Sequence, residues 1–417
     1  MPISHAERLT RLTALLAEWQ GVWRPVPFRH RQPPWTGHLP GLGQTLLALS
    51  DEACDRLQAA PFVASPLSSW LPVAELGELV ALPELPAGDT GLPGPWSQHV
   101  GGRKWRQIEA FVSRVAWSPG QSLVEWCAGK GHLARTLARW HGTDVAALEW
   151  QPVLCDEGQA LADRLGAAVH LQPQDVLAPD AARWLTPDTH VVALHACGDL
   201  HVRLLELAAE HGCALTLAPC CYQRTAAEHY RPLSRLGRDL AGRQGLELSR
   251  DDLALAVQET VTAPRHVRRS RERAGAWRLG FDLLQRQLRG RDDYLPVPSL
   301  AYGRLPETFA GFCRWAAERK GLTLPAAVDW ATAEQAGWRR QAEVRRLELV
   351  RHLFRRPLEV WLALDRLHLL EEAGFTVEAG TFCERDLTPR NLLLRAARRR
   401  GSDGPSAGCW SRAGQLH

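Results

Sequence analysis

Residues 122–133, S-L-V-E-W-C-A-G-K-G-H-L, constrain this chain more than any other segment. A short apolar strand ends at Glu125, and the glycine turn that follows leads into a helix that begins near His132. Gly129 and Gly131 let the backbone approach a ligand closely, and the N–H groups at the start of the helix face that ligand. A strand, a glycine turn and a helix in this order predict a nucleotide-like cofactor bound to an α/β fold.

Two classes of cofactor fold are compatible with the glycine turn, because the pattern G-x-G-x-x-A occurs in dinucleotide-binding sheets and in other cofactor folds. Glu125 lies four residues before Gly129. It favours S-adenosylmethionine (SAM), since a carboxylate at that strand end can accept the cationic amino-acid end of SAM. Cys127 and Lys130 lie inside the turn and are further candidate contacts of the cofactor. An NAD(P)-dependent oxidoreductase is the alternative at this point.

The composition is that of an ordinary globular protein. Of the 417 residues, 23% are charged and 45% are hydrophobic, which suits two domains or one domain enlarged by insertions. No apolar run approaches the roughly 20 residues of a membrane-spanning helix. Residues 1–24 lack the apolar centre of a signal peptide. These features predict a cytoplasmic protein that does not bind a membrane.

Changes of pattern along the chain predict six segments. The N-terminal region has an amphipathic helical periodicity, and a segment rich in proline and glycine separates it from the strands. A mainly helical insertion follows the strands, and the core then resumes with a helix that begins at Pro357, a favourable first-turn residue. The predicted segments are a helical region (1–81), a linker (82–101), the first part of the core (102–224), the insertion (225–356), the closing part of the core (357–397) and a flexible tail (398–417).

Strands and helices alternate strictly through the core, which predicts a doubly wound, Rossmann-like α/β sheet with parallel strands. The predicted strands are 122–126, 144–149, 167–171, 190–195 and 213–218, and the helices between them are 131–141, 152–165 and 200–211. Two further strands, 375–383 and 391–394, predict a C-terminal antiparallel pair that closes the sheet. Such a closing pair is typical of methyltransferase sheets and not of dinucleotide-binding sheets.

Acidic residues follow the second and third strands, where the rest of a nucleoside cofactor would lie. Glu149 comes 18 residues after Gly131, close to the ~20 expected for an acid that binds ribose hydroxyls. Asp175 follows the third strand and can accept a hydrogen bond from an adenine amino group, with the backbone N–H of Val176 beside it. The alternatives are a surface carboxylate at Glu149 and an ordinary loop aspartate at Asp175.

The fourth strand ends in His195-Ala196-Cys197-Gly198-Asp199, at the edge of the sheet where ligands bind. His195 is a candidate for cofactor contact or for catalysis, and the alternative is a histidine buried in the core. Asp199 is either the N-cap of the following helix or a catalytic base. A base is needed only if the group that receives a methyl must lose a proton.

The fifth strand ends in Pro219-Cys220-Cys221-Tyr222, which we interpret as a substrate-binding turn. A rigid turn with a phenol is similar to the proline–aromatic motifs with which amino-group methyltransferases hold a planar target, and Tyr222 is therefore also a catalytic candidate. Structural packing of the two cysteines is one alternative. A thiol nucleophile that attacks a pyrimidine is another, and it requires a lowered pKa.

Ten cysteines occur in the chain. Most lie in or beside predicted strands, where reduced thiols pack as small apolar groups. No C-x-x-C pair is present, and Cys220 and Cys221 are expected to point in different directions along a strand. The sequence therefore predicts no structural metal.

Three motifs together resemble one group of class I SAM-dependent methyltransferases: V-E-W-C-A-G-K-G-H-L at 124–133, L-H-A-C-G-D-L at 194–200 and A-P-C-C-Y at 218–222. The group includes methyltransferase-like proteins, ribosomal-RNA adenine dimethylase-domain-containing proteins and the glutathione S-transferase C-terminal-domain-containing protein. Residues 102–109 and 388–392 look like its lysine-containing helix and the start of its last strand. The resemblance covers 102–223 and 372–396 and implies cofactor roles for Glu125, Gly129, Gly131, Glu149 and Asp175.

The leading hypothesis is methyl transfer from SAM to a macromolecule, with RNA (tRNA or rRNA) preferred as the acceptor. Arginine binds phosphate in a bidentate manner, and aromatic side chains stack on unpaired bases. A solvated helix surface is the alternative explanation of the arginines, which lie in 265–291 and at Arg395, Arg398, Arg399 and Arg400. A protein acceptor, a catalytically silent SAM-binding scaffold and the oxidoreductase are the other functions left open.

Overall fold

The computed structural model describes residues 3–88, 91–258, 265–300 and 304–398. The described residues form two compact units. Unit 1 takes its residues from Met1–Ala17, Leu79–Glu259 and Pro357–His417, and unit 2 takes its residues from Glu18–Glu78 and Thr260–Arg356. Among the described helices, none combines the length and the apolar composition that a membrane crossing requires.

A seven-stranded sheet forms the centre of unit 1, with the order β3-β2-β1-β4-β5-β9-β8. The first five strands of this order are parallel, and β9 runs antiparallel to both β5 and β8. The predicted doubly wound sheet and its closing antiparallel pair are confirmed. The strands are β1 (Ser122–Trp126), β2 (Val145–Glu149), β3 (Val169–Pro173), β4 (Thr189–Cys197), β5 (Ala214–Cys220), β6 (His229–Tyr230), β7 (Leu248–Ser249), β8 (Phe375–Thr381) and β9 (Leu392–Arg398).

Helices cover the sheet and build most of unit 2. Three of them, α7, α8 and α9, connect successive strands of the parallel part, as the alternation predicts. In chain order the helices are α1 (His5–Glu18), α2 (Gln20–Trp23), α3 (Pro40–Leu47), α4 (Asp51–Ala59), α5 (Val73–Val80), α6 (Gly102–Val112), α7 (His132–His141), α8 (Pro152–Arg164), α9 (Asp199–His211), α10 (Arg235–Gln244), α11 (Arg250–Ala256), α12 (Arg265–Arg289), α13 (Phe309–Lys320) and α14 (Trp330–Glu372).

The central strands β4 and β5 are buried on both faces. Val191, Val192, Leu215 and Leu217 are fully buried, which explains the near-continuous apolar runs of these two strands. Each such side chain contributes roughly 1.5–3 kcal/mol relative to an exposed position. The loops at the strand ends are therefore held by a rigid, well-packed frame.

The predicted linker, 82–101, is partly incorporated into the sheet. The backbone N–H of Leu85 donates to Thr381 O over 2.9 Å, and the N–H of Thr381 donates to Pro83 O over 2.9 Å. Gly380 makes this approach possible, because a Cβ there would lie 2.4 Å from Pro83 O. Pro83 lacks an N–H but keeps its carbonyl, so it can accept at a sheet edge.

The division of the chain differs from the predicted one at two places. Residues 18–78 group with 260–356, whereas residues 225–256, which contain the small β6–β7 sheet, group with the core. Pro357 does not begin a helix but lies inside α14. A proline inside a helix costs about 3 kcal/mol, but the apolar side chains that follow, Leu358, Val360 and Trp361, are fully buried and offset that cost. The predicted flexible tail lies outside the described residues except for Arg398.

Candidate cofactor edge and cysteine cluster

The predicted site residues lie at one edge of the sheet. They follow the carboxyl ends of β1 to β5, as parallel strands require. The order of the strands reverses at β1 and β4, which are neighbours, and such a reversal point is where open α/β sheets bind ligands. The structure thus brings together segments that are up to about one hundred residues apart in sequence.

The glycine turn after β1 has a left-handed backbone at three residues. The φ angles are +61° at Cys127, +58° at Gly129 and +62° at Gly131. A Cβ added at Gly129 would meet no atom within 4 Å, so the space beside the turn is open. The turn needs glycine here for its φ angle, and it leaves room for a ligand against the backbone.

Glu125 is almost fully buried at the end of β1, with 5% of its surface exposed. Its Oε2 accepts a hydrogen bond of 2.8 Å from the backbone N–H of Ala134 in the first turn of α7. Burial raises the pKa of this carboxyl to about 7, although the Ala134 N–H and the cations of Lys104 and Arg135 oppose the shift. The negative charge of Glu125 is therefore costly until another cation approaches.

Glu149 lies at the end of β2 and forms hydrogen bonds with the backbone of the glycine turn and of the residue that precedes α8. Its Oε2 accepts from the N–H of Gly129 over 2.9 Å and its Oε1 accepts from the N–H of Gln151 over 3.1 Å. Each carboxylate oxygen can accept a second hydrogen bond. The position next to the open turn suits the predicted contact with ribose hydroxyls.

The other predicted cofactor contacts have different surroundings. Asp175 is exposed, and its Oδ1 accepts from the N–H of Leu177 over 2.9 Å. Val176 is buried. Lys130 forms an ion pair with Glu157 of α8 and is 43% exposed, so its ammonium is directed to that helix. A contact between Lys130 and the cofactor would therefore be made by its backbone and not by its ammonium group.

Large apolar side chains are exposed beside these acids. Trp150 follows Glu149 directly and is 68% exposed, Val153 lies in the first turn of α8 with 66% exposed, and Leu177 follows β3 with 48% exposed. We call these three residues the apolar rim. The sequence interpretation missed them, because one tryptophan after an acid carries no distinctive pattern.

His195 lies where β4 is irregular. Its φ is +66°, and the pairing of β4 with β5 shifts register between Leu194 and Ala196. Its Nε2 lies 2.9 Å from Oε1 of Gln107, and the amide of Gln107 is oriented by its donation to Leu387 O over 3.2 Å. His195 therefore donates from Nε2, which leaves Nδ1 as its acceptor. Burial lowers the pKa of His195 to about 4, so the ring is neutral at neutral pH.

Asp199 is the first residue of α9 and not its N-cap. The N-cap is Gly198, which makes no side-chain cap bond, and a Cβ there would lie 1.8 Å from Arg224 O. Asp199 Oδ2 accepts from the N–H of Ala226 over 2.8 Å. The N-cap interpretation is wrong because the glycine required for close packing occupies that position.

Three residues of the predicted substrate turn are buried, namely Pro219, Cys220 and Tyr222. Tyr222 is 2% exposed, with its ring edge-to-face against His201 at 5.6 Å and the guanidinium carbon of Arg366 4.7 Å from its ring centre. These contacts give the ring a packing role. We therefore assign Tyr222 no contact with the methyl acceptor.

A buried polar network joins the end of β4 to α14. Arg366 donates from Nε to His201 Nε2 over 2.9 Å, so His201 carries its proton on Nδ1 and donates to Ala196 O over 3.0 Å. Tyr230 donates to Asp365 Oδ2 over 2.6 Å and lies 3.1 Å from Nη1 of Arg366. A buried arginine needs such partners, and no sequence pattern connects residues so far apart.

Three cysteines converge at the ends of β4 and β5. The sulfur atoms of Cys197, Cys220 and Cys221 all lie within 4.8 Å of one another, with 3.5 Å between Cys197 and Cys220. The expectation that Cys220 and Cys221 point apart is wrong, because Cys221 has a φ of +47° and lies beyond the end of β5. Hydrogen bonds from the other two thiols, together with Arg224 and Arg390, lower the pKa of Cys221 and leave that of Cys220 raised.

The arginines of the predicted surface do not form one exposed surface, because some of them are buried. Arg395 is buried and pairs with Glu378 at 2.7 Å. Arg286 is buried against Asp282 at 2.8 Å. Arg399 and Arg400 lie outside the described residues. The exposed arginines of α12 are Arg268, Arg269, Arg271 and Arg273.

Residues 103–228 match a protein-family model described as a methyltransferase domain. This range contains the glycine turn, the first five strands and the cysteine cluster. The prediction of a methyltransferase domain is confirmed over these residues. The finer grouping with ribosomal-RNA adenine dimethylase-domain-containing proteins stays a prediction.

Solved structures similar to this chain include three methyltransferases. A geranyl diphosphate methyltransferase in complex with GPP and sinefungin is 16% identical, over 34% of this chain and 59% of that chain, with a TM-score of 0.25. The Pyrococcus abyssi tRNA (uracil-54, C5)-methyltransferase is 14% identical, over 27% and 28%, with a TM-score of 0.23. Coclaurine N-methyltransferase is 15% identical, over 45% and 63%, with a TM-score of 0.26.

The chain spans less than two thirds of the length of each of these three structures. At such scores, the fold assignment depends on the strand order of unit 1. The strand order, the glycine turn after β1 and the family model agree that unit 1 contains a methyltransferase domain of the Rossmann-like type.

Proposed function

We propose that this protein transfers a methyl group from SAM to a macromolecular acceptor, with RNA as the preferred class. Methyl transfer from SAM is supported by the open glycine turn at Gly129, which follows the buried acid Glu125 and whose N–H donates to the buried acid Glu149. A nucleoside cofactor with a cationic end satisfies both acids at once. NAD carries no ammonium group that could pair with Glu125, since its one cation is the aromatic nicotinamide ring.

The residues take the following roles in this proposal. Glu125 balances the cationic amino-acid end of SAM, and Glu149 accepts from the ribose hydroxyls. Asp175 and the N–H of Val176 contact the adenine edge. The apolar rim, with Trp150 at its centre, covers the adenine face, because an aromatic ring stacks well on a planar base.

Methyl transfer from a sulfonium needs little acid–base chemistry. The enzyme aligns the acceptor, the methyl carbon and the sulfur, and it excludes water from them. If the acceptor must lose a proton, His195 is the candidate base, through Nδ1. Asp199 is less suited because its carboxylate already holds the N–H of Ala226.

The exposed arginines of α12 support an RNA acceptor. Arg268 and Arg269 are adjacent and exposed, and Arg273 lies one turn later with its guanidinium carbon 5.3 Å from the ring centre of Trp277. Guanidinium groups bind phosphates, and this surface is independent of the buried Arg286 and Arg395. A protein acceptor is the alternative outcome of the experiments below.

Methyl transfer is tested directly with SAM labelled in its methyl group. We expect label in RNA when the purified chain is incubated with fractionated cellular RNA, protein and metabolites. Label in protein alone would remove the RNA acceptor. Binding of SAM without transfer to any fraction would favour the silent scaffold. A thermal shift with NAD and none with SAM would contradict the proposal itself, since a ligand at ~100 times its Kd stabilises by about 2.7 kcal/mol.

Replacing Trp150 by alanine should raise the Kd for SAM about tenfold, because base–aromatic stacking is worth roughly 1–3 kcal/mol. The thermal stability of the ligand-free protein should hardly change, since the side chain is 68% exposed. Isothermal titration calorimetry measures the affinity. Trp140→Ala is the matched control, because Trp140 lies on α7, is 36% exposed and follows no cofactor-edge acid. Equal losses in both variants would contradict the stacking role.

Reversing the charge of Arg268 and Arg269 together should weaken RNA binding and flatten its salt dependence. For single-stranded RNA, the slope of log K against log salt should change by roughly 0.7 for each phosphate that the variant no longer neutralises. The control is the pair Arg319→Glu and Arg339→Glu, two exposed arginines of the same unit. An equal change in the control pair would show a general charge effect and not a binding surface.

A further inference from the structure

The cysteine cluster, defined as Cys197, Cys220 and Cys221, is not explained by cofactor binding. We propose that this cluster binds one zinc ion through three thiolates. The inference does not depend on methyl transfer, since it follows from the positions of three sulfur atoms in unit 1.

The spacing of the sulfur atoms suits a tetrahedral zinc site. With Zn–S bonds of ~2.3 Å, two sulfur atoms of a tetrahedral site lie about 3.8 Å apart. Cys197 and Cys220 are separated by 3.5 Å, and no pair in the cluster exceeds 4.8 Å. Small side-chain rotations therefore give the zinc geometry. A disulfide would instead need a sulfur–sulfur distance of about 2.0 Å, and the cysteines of the described residues are all free thiols.

Unusual backbone conformations create this convergence. In regular strands, neighbouring side chains alternate between the two faces of the sheet. The positive φ of Cys221 breaks that alternation beside Cys220, and the register shift at His195, which also has a positive φ, brings Cys197 opposite Cys220. Positive φ at a non-glycine residue costs of order 1–3 kcal/mol, and such residues cluster at functional sites. Two of these residues, His195 and Cys221, lie beside or within the cysteine cluster.

The surrounding charges suit a zinc–thiolate centre. Three thiolates and one zinc ion carry a net charge of −1, and the cations of Arg224 and Arg390 both act on Cys221. Cys197 and Cys221 are only half-buried, so an ion can enter from the edge of the sheet. Within the described residues no fourth cysteine, histidine or carboxylate joins the cluster. Three protein ligands leave one tetrahedral position for a water molecule or for an exogenous ligand, as in catalytic zinc sites.

The test uses the full chain, reduced, freed of metal by a chelator and then titrated with Co²⁺ and Zn²⁺. We expect one equivalent of Co²⁺ to bind with a thiolate-to-cobalt charge-transfer band in the near ultraviolet, and Zn²⁺ to displace it. The variants Cys197→Ser and Cys221→Ser should each bind at least about a hundredfold more weakly. Cys383→Ser, which removes a half-buried thiol of unit 1 outside the cluster, should bind as the wild type does.

Several results would overturn the zinc site. The reduced wild type could bind no Co²⁺ with thiolate character, or Cys383→Ser could lose as much affinity as the cluster variants. A disulfide within the cluster that forms in the presence of excess Zn²⁺ would have the same consequence. The circular dichroism of each variant is recorded without metal, so that a loss of binding is scored only in folded protein. The titration of the wild type decides the question even if one variant does not fold.

Discussion

Replacing Gly129 by leucine should abolish measurable SAM binding while the protein stays folded. Two effects act together in this variant. The φ of +58° is unfavourable for any residue with a Cβ, at a cost of about 1–2 kcal/mol. The new side chain would also project into the open space beside the turn, where no atom lies within 4 Å of the added Cβ. Fluorescence or calorimetric titration with SAM measures the loss.

The matched control for this variant is Gly142→Leu. Gly142 ends α7 with a φ of +61°, and a Cβ there also meets no atom within 4 Å. The backbone cost and the available space are the same, but the position is at the other end of the helix. We expect a similar small loss of thermal stability in both variants and normal SAM affinity only in the control. Normal affinity in Gly129→Leu would show that the cofactor binds elsewhere.

Replacing Glu125 by glutamine should stabilise the ligand-free protein at pH 8 and weaken SAM binding. Burial raises the pKa of the carboxyl from 4.5 to about 7, so ionised Glu125 opposes folding at high pH. A shift of that size corresponds to on the order of 3 kcal/mol at most. Glutamine keeps an oxygen that can accept from the N–H of Ala134, without the charge. Chemical denaturation at pH 5 and pH 8 measures the change.

The sign of the pH dependence follows from proton linkage. Between pH 4.5 and about 7 the folded state binds more protons at Glu125 than the unfolded state does. This part of the stability is therefore fully present below pH 4.5 and is lost as the pH rises through 7. The variant should gain stability at pH 8 and little at pH 5. Glu206→Gln, an exposed substitution on α9, should show no such difference.

SAM binding should also depend on the protonation of Glu125, but binding is favoured by the ionised form, whereas stability is favoured by the protonated form. A cationic ligand prefers ionised Glu125, so the affinity of the wild type should fall as the pH drops below 7. Glu125→Gln should bind SAM more weakly and lose that part of the pH dependence. A variant that binds SAM as tightly as the wild type at pH 8 would contradict the role of Glu125.

The sequence predicted the sheet because its signals are local. The apolar run 122–126, the two glycines after it and the alternation that follows each depend on a few neighbouring residues. The position of Glu149 at the end of β2 was predictable for the same reason, since its spacing from Gly131 is set by one helix and one strand, and its contact with the cofactor stays a prediction. The observed β1 and β8–β9 pair agree with these signals.

Features that depend on distant partners were not predictable from one sequence. The burial of Arg395 requires Glu378 on the neighbouring strand, and that of Tyr222 requires Arg366, more than 140 residues away. The cysteine cluster depends on the φ angles of His195 and Cys221, and a non-glycine residue gives no local sign of a positive φ. Asp282 and Arg286 are different, because their spacing of four on a helix was a usable signal.

The antiparallel strands that close the sheet have a consequence for folding of the chain during its synthesis. During synthesis β5 leaves the ribosome long before β9, the strand that covers its outer edge. At 5–20 residues per second, the stretch between Cys220 and Leu392 takes roughly 10–35 seconds to translate. Throughout that time one of the most apolar strands of the chain has an unpaired edge, a template for wrong pairing with other chains. The order of synthesis therefore leaves the edge of β5 without its native partner until the last strand of the sheet is made.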